Sequence, residues 1–303
     1  MAWASERETV SAAAWIRAAR LPAQVNIAMP LLFGMSLAGA RAWTDRAWDV
    51  ALVLAFGLLD QLYIVFANDV ADVATDRDNR TFTPFSGGSR VLVTGALARA
   101  SLLRAALIAI LLAGVVAVAL GVRRESPWPV ALWGAAVALL WAYSFGPRLS
   151  YRGGGELLQI AGTAVVLPLF GFVALTGDAL AFPWPALGLV LPARLAAAIA
   201  SALPDEPSDR AGSKATIPVV LGGAHSGILA FFLSCVSFAL AASPWSPLSP
   251  GPALLAVPLA VACVQLALRA AAPGSTGMLV RVGAQLAATI GFEAVLVHAA
   301  LTR

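Results

Sequence analysis

The sequence predicts an all-α membrane protein that crosses the bilayer about nine times. Two features of composition predict this fold class. Hydrophobic residues make up 60% of the 303 residues and charged residues 12%, with a mean hydropathy of +0.83. Soluble domains are typically about 45–50% apolar and about 25% charged. The third observation is that the apolar residues occur in runs of about 20, the length an α-helix needs to cross the hydrocarbon core.

Nine apolar segments are long enough to span a bilayer, and proline or glycine residues mark several of the joints between them. The predicted spans cover approximately residues 22–40, 49–71, 101–121, 129–147, 155–177, 183–204, 225–243, 252–270 and 280–301. We interpret residues 1–303 as a single polytopic domain. Residues 1–20 mix acidic and basic side chains and lack a small-residue cleavage site, so we interpret them as an interfacial lead-in helix.

Charge placement predicts the orientation of the chain and excludes one class of partner. With the N-terminus inside, well over half of the 20 Lys and Arg residues lie on the inner side, as the positive-inside rule requires. The expected location is therefore the inner membrane of a bacterium, with the N-terminus in the cytoplasm. No dense Lys/Arg run is present, so the sequence excludes a nucleic-acid-binding surface. The two cysteines, Cys235 and Cys263, lie in apolar runs and exclude a disulfide framework.

Acidic residues are concentrated at two places. Seven of the 16 acidic residues lie in residues 68–78 and 205–210. Each stretch begins at the end of a predicted span. Because four predicted crossings separate the two stretches, both must lie on the same side of the membrane, which the charge count makes the cytoplasmic side.

The spacing within each stretch places carboxylates together. Asp69, Asp72 and Asp76 are spaced i, i+3, i+7 and share one face of a helix. The pattern Asp-x-x-x-Asp-Arg occurs at residues 72–77 and again at 205–210, which predicts an internal repeat of two units of about four helices. Pro207 interrupts the second pattern, so either a helix ends near Asp205 or a new one begins around Pro207.

Carboxylates crowded at the end of a membrane helix require cations. Mg²⁺ is the natural candidate because it binds one or two carboxylates together with water and phosphate oxygens. The two histidines, His225 and His298, are far apart in the sequence and offer no zinc cluster. Six cationic residues are expected on the same side of the membrane: Arg77, Arg80, Arg90, Arg148, Arg210 and Lys214, the only lysine. Carboxylates, Mg²⁺ and these cations together indicate a diphosphate-binding site.

These motifs resemble those of a known family. Asn68 to Asp76 reads N-D-x-x-D-x-x-x-D and Asp205 to Asp209 reads D-x-x-x-D, a pair that resembles the UbiA superfamily of intramembrane prenyltransferases. Residues 84–92 resemble the loop that follows the first motif, especially in the menaquinone-type branch. Residues 143–148 and 209–216 resemble two further segments of the family.

The resemblance implies about nine helices around a central cavity that opens sideways to lipid, with two Mg²⁺ ions binding an isoprenyl diphosphate. It implies that the metals are bound by Asp69, Asp72, Asp76, Asp205 and Asp209. The last four of these would form the catalytic set together with Tyr143, beside the reacting allylic carbon. The resemblance also implies that the diphosphate is bound by Asn68, Arg77, Arg90, Arg148 and Lys214.

Three functions remain open at this point. The allylic cation could be captured by an aromatic acceptor, giving a prenylated quinone precursor, or it could attack its own chain, as in the terpene cyclases of the superfamily, giving a cyclic terpene or terpene alcohol. A transporter is the third, because Asp60, Arg104, Arg194 and Glu293 lie within predicted spans. Interhelical pairing, for example of Asp60 with Arg194, or snorkelling of Arg104 would also explain these residues.

Overall fold

A computed structural model of the protein describes residues 11–303. All regular structure in this range is helical. The α-helices are α1 Ala12–Ala19, α2 Val25–Leu37, α3 Ala40–Asp45, α4 Ala47–Asp78, α5 Arg99–Arg124, α6 Trp128–Leu140, α7 Gly155–Ile160, α8 Leu167–Thr176, α9 Leu187–Ala202, α10 Glu206–Ala211, α11 Ile217–Leu221, α12 Gly223–Ala242, α13 Pro252–Ala267 and α14 Thr276–Leu301. Three 3₁₀ turns (Leu21–Gln24, Trp184–Ala186 and Leu203–Asp205) and two π-helical segments (Trp141–Phe145 and Ala161–Val166) adjoin them.

The predicted class, an all-α membrane protein, is confirmed. Each of the nine predicted spans coincides with helix. Within residues 11–303, seven helical segments are long and apolar enough to cross a membrane, and α13 is a shorter apolar helix. The segment of α2 is also short, but the preceding 3₁₀ turn extends it to about 28 Å, close to the thickness of a hydrocarbon core of about 30 Å.

Helix packing follows the same order in the two halves of the chain. In the first half α4 packs against α2 and α5, and α5 packs against α6. In the second half α9 packs against α7 and α12, and α12 packs against α13. The two halves meet where α2 packs against α8, and α14 closes the bundle against α13, α2 and α9. This order favours the predicted repeat of two four-helix units.

Two glycines allow α2 and α8 to approach closely. A Cβ added to Gly34 would overlap the backbone of Pro168, and a Cβ added to Gly171 would overlap the carbonyl of Leu31. Small residues at such contacts let membrane helices pack backbone to backbone, which replaces the hydrophobic driving force that lipid does not provide.

Most buried charges in the bundle are neutralised in pairs. Asp49 accepts a 2.5 Å hydrogen bond from Arg123 Nε and forms a second ion pair with Arg124. Arg194 Nε lies 2.5 Å from Glu293 Oε1, and both side chains are buried. Interhelical pairing, one of the explanations considered for these residues, therefore applies to Arg194, but its partner is Glu293 of α14 and not Asp60.

The lead-in segment packs onto the bundle at α1. Residues 1–10, half of the predicted lead-in helix, lie outside the described residues. α1 starts at Ser11, whose hydroxyl accepts a hydrogen bond from Ala13 N, and it buries Ala14 and Ala18. The ring of Trp15 contacts the edge of Phe66 on α4, with centroids 5.9 Å apart. α1 therefore holds the residue that follows it, Arg20, against α4.

Candidate active site

The first acidic stretch occupies the last turns of α4. Asp69 and Asp72 are buried, while Asp76 is partly exposed. The second stretch begins in the 3₁₀ turn Leu203–Asp205 and continues into α10, which has Pro207 in its first turn. Proline is suited to that position because its missing N–H has no helical acceptor there. Both possibilities that Pro207 left open are seen, because the 3₁₀ turn after α9 ends at Asp205 and α10 begins at Glu206, beside Pro207.

The two acidic stretches are joined by side chains that lie just beyond the end of each. Asn79, at the C-terminal cap of α4, donates a 2.7 Å hydrogen bond from Nδ2 to Asp205 Oδ1. Lys214 Nζ lies 3.1 Å from Asp72 Oδ2 and 3.6 Å from Asp209 Oδ1. Residues separated by more than a hundred positions thus form one site at one end of the bundle.

The loop at residues 79–98 covers this site and contributes backbone donors. Gly87 N donates a 3.0 Å hydrogen bond to Asp205 Oδ2, and the amide and hydroxyl of Ser89 both donate to Asp69. Gly87 and Gly88 have φ angles of 76° and 71°, which residues with a side chain rarely adopt. A Cβ on Gly88 would also overlap the carboxylate of Asp76. Glycine is therefore required where the loop backbone approaches the carboxylates.

Arg20 enters the site from the lead-in segment. Its Nη2 lies 2.5 Å from Asp69 Oδ1, and the same nitrogen lies near Gly88. The side chain of Arg20 is 22% exposed and that of Asp69 is 4% exposed. The partly buried pair presents a cation to the space in front of the first acidic stretch.

Tyr151 organises the other side of the cluster. Its hydroxyl donates a 3.0 Å hydrogen bond to Asp72 Oδ1 and lies 2.9 Å from Thr75 Oγ1. Two cations lie over its ring, with Arg148 Cζ 4.0 Å and Lys214 Nζ 4.9 Å from the centroid. Cations are attracted to the face of an aromatic ring, so Tyr151 holds both positive charges beside Asp72.

The remaining predicted cations differ in their placement. Arg90 Nη1 donates to the carbonyls of Asp76 (2.9 Å) and Asn79 (3.3 Å), and its guanidinium lies 4.2 Å from the centre of the Phe82 ring. Arg90 thus fastens the covering loop to the end of α4. Arg77 is exposed and forms no ion pair within residues 11–303, so the geometry does not support its predicted contact with a diphosphate.

Lys214 is the most strongly held cation of the site. Burial by itself lowers the pKa of this ammonium, but the carboxylates of Asp72 and Asp209 outweigh that effect and raise the pKa above its ordinary value. Lys214 therefore carries its positive charge at every physiological pH.

Negative charge exceeds positive charge among the contacting side chains. Arg20 and Lys214 are the cations within ion-pair distance of the five predicted metal ligands, according to the part of the chain that the structure describes. Asp205 is bound by neutral donors, and the Asp76 side chain has neither an ion pair nor a hydrogen bond within residues 11–303. In that range no three acidic, histidine or cysteine residues are close enough to hold a metal by themselves. This donor set fits Mg²⁺, which typically completes its coordination with water and phosphate oxygens.

An apolar cavity of about 500 Å³ extends from this cluster into the bundle. Arg20, Asn68 and Tyr143 lie in its wall, with Leu139 and Ile290 among the aliphatic side chains that line it. A central cavity is therefore present, as the sequence analysis predicted.

Two side chains of the cavity wall are fixed by neighbours. The Tyr143 hydroxyl accepts a 3.0 Å hydrogen bond from Gln159 Nε2, and Asn68 Oδ1 accepts a 3.2 Å hydrogen bond from Ser144. Tyr143 lies in the π-helical segment Trp141–Phe145, and such segments are frequent at functional sites.

Four residues of this site escaped the sequence analysis: Arg20, Asn79, Ser89 and Tyr151. Ser89 lies inside a segment that the family resemblance singled out, and Asn79 directly follows the first acidic stretch, so position along the chain was an available signal for both. Arg20 was counted only as a topological charge. Nothing in the sequence linked Tyr151 to Asp72, because their contact depends on how the loop at residues 146–154 folds back.

The model of the UbiA prenyltransferase family matches residues 27–275. No curated protein shows significant similarity to this sequence.

Solved structures share the fold at low sequence identity. A UbiA homologue from Aeropyrum pernix K1, solved without ligand, superimposes with a TM-score of 0.65 at 17% identity, covering 88% of this chain and 96% of that one. A digeranylgeranylglyceryl phosphate synthase gives a TM-score of 0.62 at 16% identity, covering 96% and 99%. A UbiA homologue from Archaeoglobus fulgidus, bound to DMAPP and Mg²⁺, gives 0.60 at 16% identity, covering 94% and 99%.

Proposed function

Because the chain belongs to the UbiA prenyltransferase family, we propose that it ionises an isoprenyl diphosphate and transfers the prenyl group to an aromatic quinone precursor. The observation that carries this proposal is the junction of the two acidic stretches through Asn79, Asp205 and Lys214. A site rich in carboxylates at one end of an apolar cavity suits a substrate with a charged head and a hydrocarbon tail.

In this proposal the carboxylates would hold two Mg²⁺ ions, and bound Mg²⁺ would supply neutralisation of the negative charge on the leaving diphosphate. The metal ligands would come from the five aspartates at positions 69, 72, 76, 205 and 209. Support comes from the oxygen-only donor set and from the Archaeoglobus fulgidus homologue, which contains Mg²⁺ and DMAPP. Asp76 is the ligand that needs least rearrangement, because its carboxylate is not engaged by another side chain within residues 11–303.

The cations of the site would stabilise the negative charge that develops on the diphosphate. Lys214 and Arg20 are held in position by carboxylates, and Arg148 is held on the ring of Tyr151. Such preorganised charges favour the transition state because they need no reorientation during the reaction. Asn68 would add an amide donor from the cavity wall. Arg90 would act indirectly by holding the loop, and Arg77 has the weakest support.

The cavity would hold the hydrocarbon tail and the reacting carbon. Each CH₂ of the tail that leaves water contributes about 0.8 kcal/mol. Tyr143, with its hydroxyl fixed by Gln159, would border the allylic cation with its ring, since aromatic faces attract cations.

A terpene cyclase is the second candidate. The cavity wall is mostly aliphatic and would allow a folded farnesyl chain to react with itself in the absence of an acceptor. We propose aromatic transfer as the main activity, with an acceptor of the menaquinone-precursor type, because residues 84–92 resemble that branch of the family. We also propose that the protein resides in a bacterial inner membrane with its site on the cytoplasmic face, where the positive-inside rule places it.

The test is product analysis on the purified protein with farnesyl diphosphate and Mg²⁺, with and without a dihydroxynaphthalene acceptor. Mass spectrometry should detect a prenylated ring and release of diphosphate, and Asp72→Ala and Asp205→Ala should abolish both. Asp45→Asn, which removes an exposed carboxylate at the other end of α4, should leave them unchanged. A cyclic terpene formed equally with and without acceptor would establish the cyclase, and full turnover in excess chelator would contradict the proposal.

A further inference from the structure

The proposed reaction needs a second substrate, and one side chain of the cavity has no role in the fold. Asp60 lies in the middle of α4, is 2% exposed, and lines the cavity wall. Its Oδ1 has no hydrogen-bond partner, and the carboxyl forms no ion pair within residues 11–303. The other acids buried deep in the bundle behave differently, since Asp49 and Glu293 are each bound by arginine.

An unpartnered carboxyl at this depth is costly. A buried polar group without a hydrogen bond destabilises a fold, and ionisable residues inside membranes are rare unless they serve a function. Replacing Asp60 by an apolar residue would relieve that cost. Its presence in the cavity wall therefore indicates that a ligand supplies the missing partner.

The position of Asp60 along α4 indicates which of the two substrates it contacts. Nine residues separate it from Asp69 on the same helix, which corresponds to about 13 Å along the axis. That separation accommodates a diphosphate and one aromatic ring placed end to end. Asp60 is therefore far enough from the leaving-group site to contact the polar head of an acceptor.

The charges around Asp60 indicate which functional group the acceptor presents to it. Arg194 also lines the cavity, but its charge is neutralised by Glu293, and its Nη1 donates to the Asn26 carbonyl at 3.2 Å. Asp60 has no such counter-ion within residues 11–303. A hydroxyl would donate a hydrogen bond to the free carboxyl oxygen, whereas an ether oxygen in the same place has no hydrogen to donate.

We infer that Asp60 is a specificity-determining residue that binds the hydroxyl of the acceptor and selects acceptors with a free hydroxyl over acceptors in which that oxygen is methylated. This inference rests on the proposed prenyl transfer, since it assigns the second substrate of that reaction. Asp60 positions the ring so that a carbon beside the hydroxyl-bearing carbon faces the allylic centre.

Binding measurements test the inference without requiring turnover. Isothermal titration of the purified protein would compare 2-naphthol with 2-methoxynaphthalene, in which the hydroxyl is methylated. The wild-type protein should bind 2-naphthol at least about tenfold more tightly than the ether, which corresponds to one hydrogen bond to a charged group. In Asp60→Leu the preference over the methyl ether should fall below about threefold. An unchanged preference in Asp60→Leu, or equal binding of both probes by the wild type, would overturn the inference.

Two controls separate recognition from folding. Thr163→Val removes another polar group of the cavity wall, one already hydrogen-bonded to the Gln159 carbonyl, and should keep the wild-type preference. The melting temperature of Asp60→Leu should equal or exceed that of the wild type, because no partner is lost. A lower melting temperature would assign Asp60 a structural role and overturn the inference.

A separate titration distinguishes this inference from the proposed function. Geranyl S-thiolodiphosphate with Mg²⁺ should bind the wild type and Asp60→Leu within about twofold of each other. Absence of binding to the wild type would defeat the proposed prenyl transfer, while the naphthol preference would still decide the role of Asp60. Loss of the thiolodiphosphate in Asp60→Leu alone would place Asp60 at the diphosphate end and overturn the inference.

Discussion

Asn79 donates a 2.7 Å hydrogen bond to Asp205 across 126 positions of the chain. The contact joins the end of α4 to the start of the second acidic stretch, and Lys214 adds a second connection between the two halves. A family of membrane prenyltransferases is characterised by two acidic motifs, and here they are physically coupled through an amide and an ammonium.

Lys214 is expected to contribute mainly to diphosphate binding. Lys214→Ala removes the cation between Asp72 and Asp209 and should raise the KM for farnesyl diphosphate by about tenfold or more, since charged hydrogen bonds contribute about 1.5–3 kcal/mol. Lys214→Arg keeps the charge and should recover part of this loss. Steady-state kinetics with a melting curve for each variant would check this. Unchanged kinetics in a folded Lys214→Ala protein would remove Lys214 from the site.

Arg20 is expected to matter as much as the residues within the family motifs. Arg20→Gln leaves Asp69 without its ion pair and removes a cation from the cavity wall, so kcat/KM should fall by about 10- to 100-fold. Arg17→Gln offers a matched control, because Arg17 lies in α1, three residues before Arg20, and is exposed. Equal losses in the two variants would show that general surface charge, rather than the contact with Asp69, is responsible.

The buried pair of Arg194 and Glu293 should behave as a structural element. Glu293→Gln leaves a buried guanidinium without its counter-ion and should lower the free energy of unfolding by about 3–5 kcal/mol. The double variant Arg194→Met with Glu293→Leu removes both charges and should regain most of that loss. Thermal denaturation in detergent would measure both. A single variant as stable as the wild type would show that the pair does not support the bundle.

Gly171 should tolerate no side chain. Gly171→Ala forces α8 away from the carbonyl of Leu31 on α2 and should lower the melting temperature, because overpacking typically costs about 1–3 kcal/mol. Gly134→Ala is the matched control in α6, where an added Cβ meets nothing within 4 Å. That change should be neutral or stabilising, since alanine favours helix over glycine by about 1 kcal/mol. The reverse order of stability would contradict the proposed packing of α2 on α8.

Hydropathy predicts the spans well because burial in lipid acts on every residue of a long helix. All nine predicted spans coincide with helix, although α2 is shorter than the segment 22–40 that predicted it. The spacing of Asp69, Asp72 and Asp76 also places them on one helix, as local geometry requires. The second stretch was harder to predict, because a 3₁₀ turn and a helix start meet at Asp205, and only the surrounding structure decides between them.

The contacts within the site could not be predicted from the sequence, because no local sequence pattern specifies them. Pairing of Asp60 with Arg194 was one explanation for these buried charges, but the choice between partners depends on how α14 packs, and Glu293 binds the guanidinium. Arg20 and Tyr151 reach the cluster from a short lead-in helix and from a loop, neither of which has a motif of its own. The family resemblance identified the residues of the two acidic motifs. The residues that contact and position those motifs could be identified only from the three-dimensional structure.

The central claim is that the two acidic stretches form one site, and cross-linking in native membranes tests it most directly. With Cys235 and Cys263 replaced by alanine, the pair Asn79→Cys and Asp205→Cys should react rapidly with a short bifunctional thiol reagent. The pair Asp45→Cys and Asp205→Cys should not react, because α4 separates those positions by about 48 Å. Failure of the first pair to cross-link, in a protein whose two thiols are each accessible to a monofunctional reagent, would contradict the account.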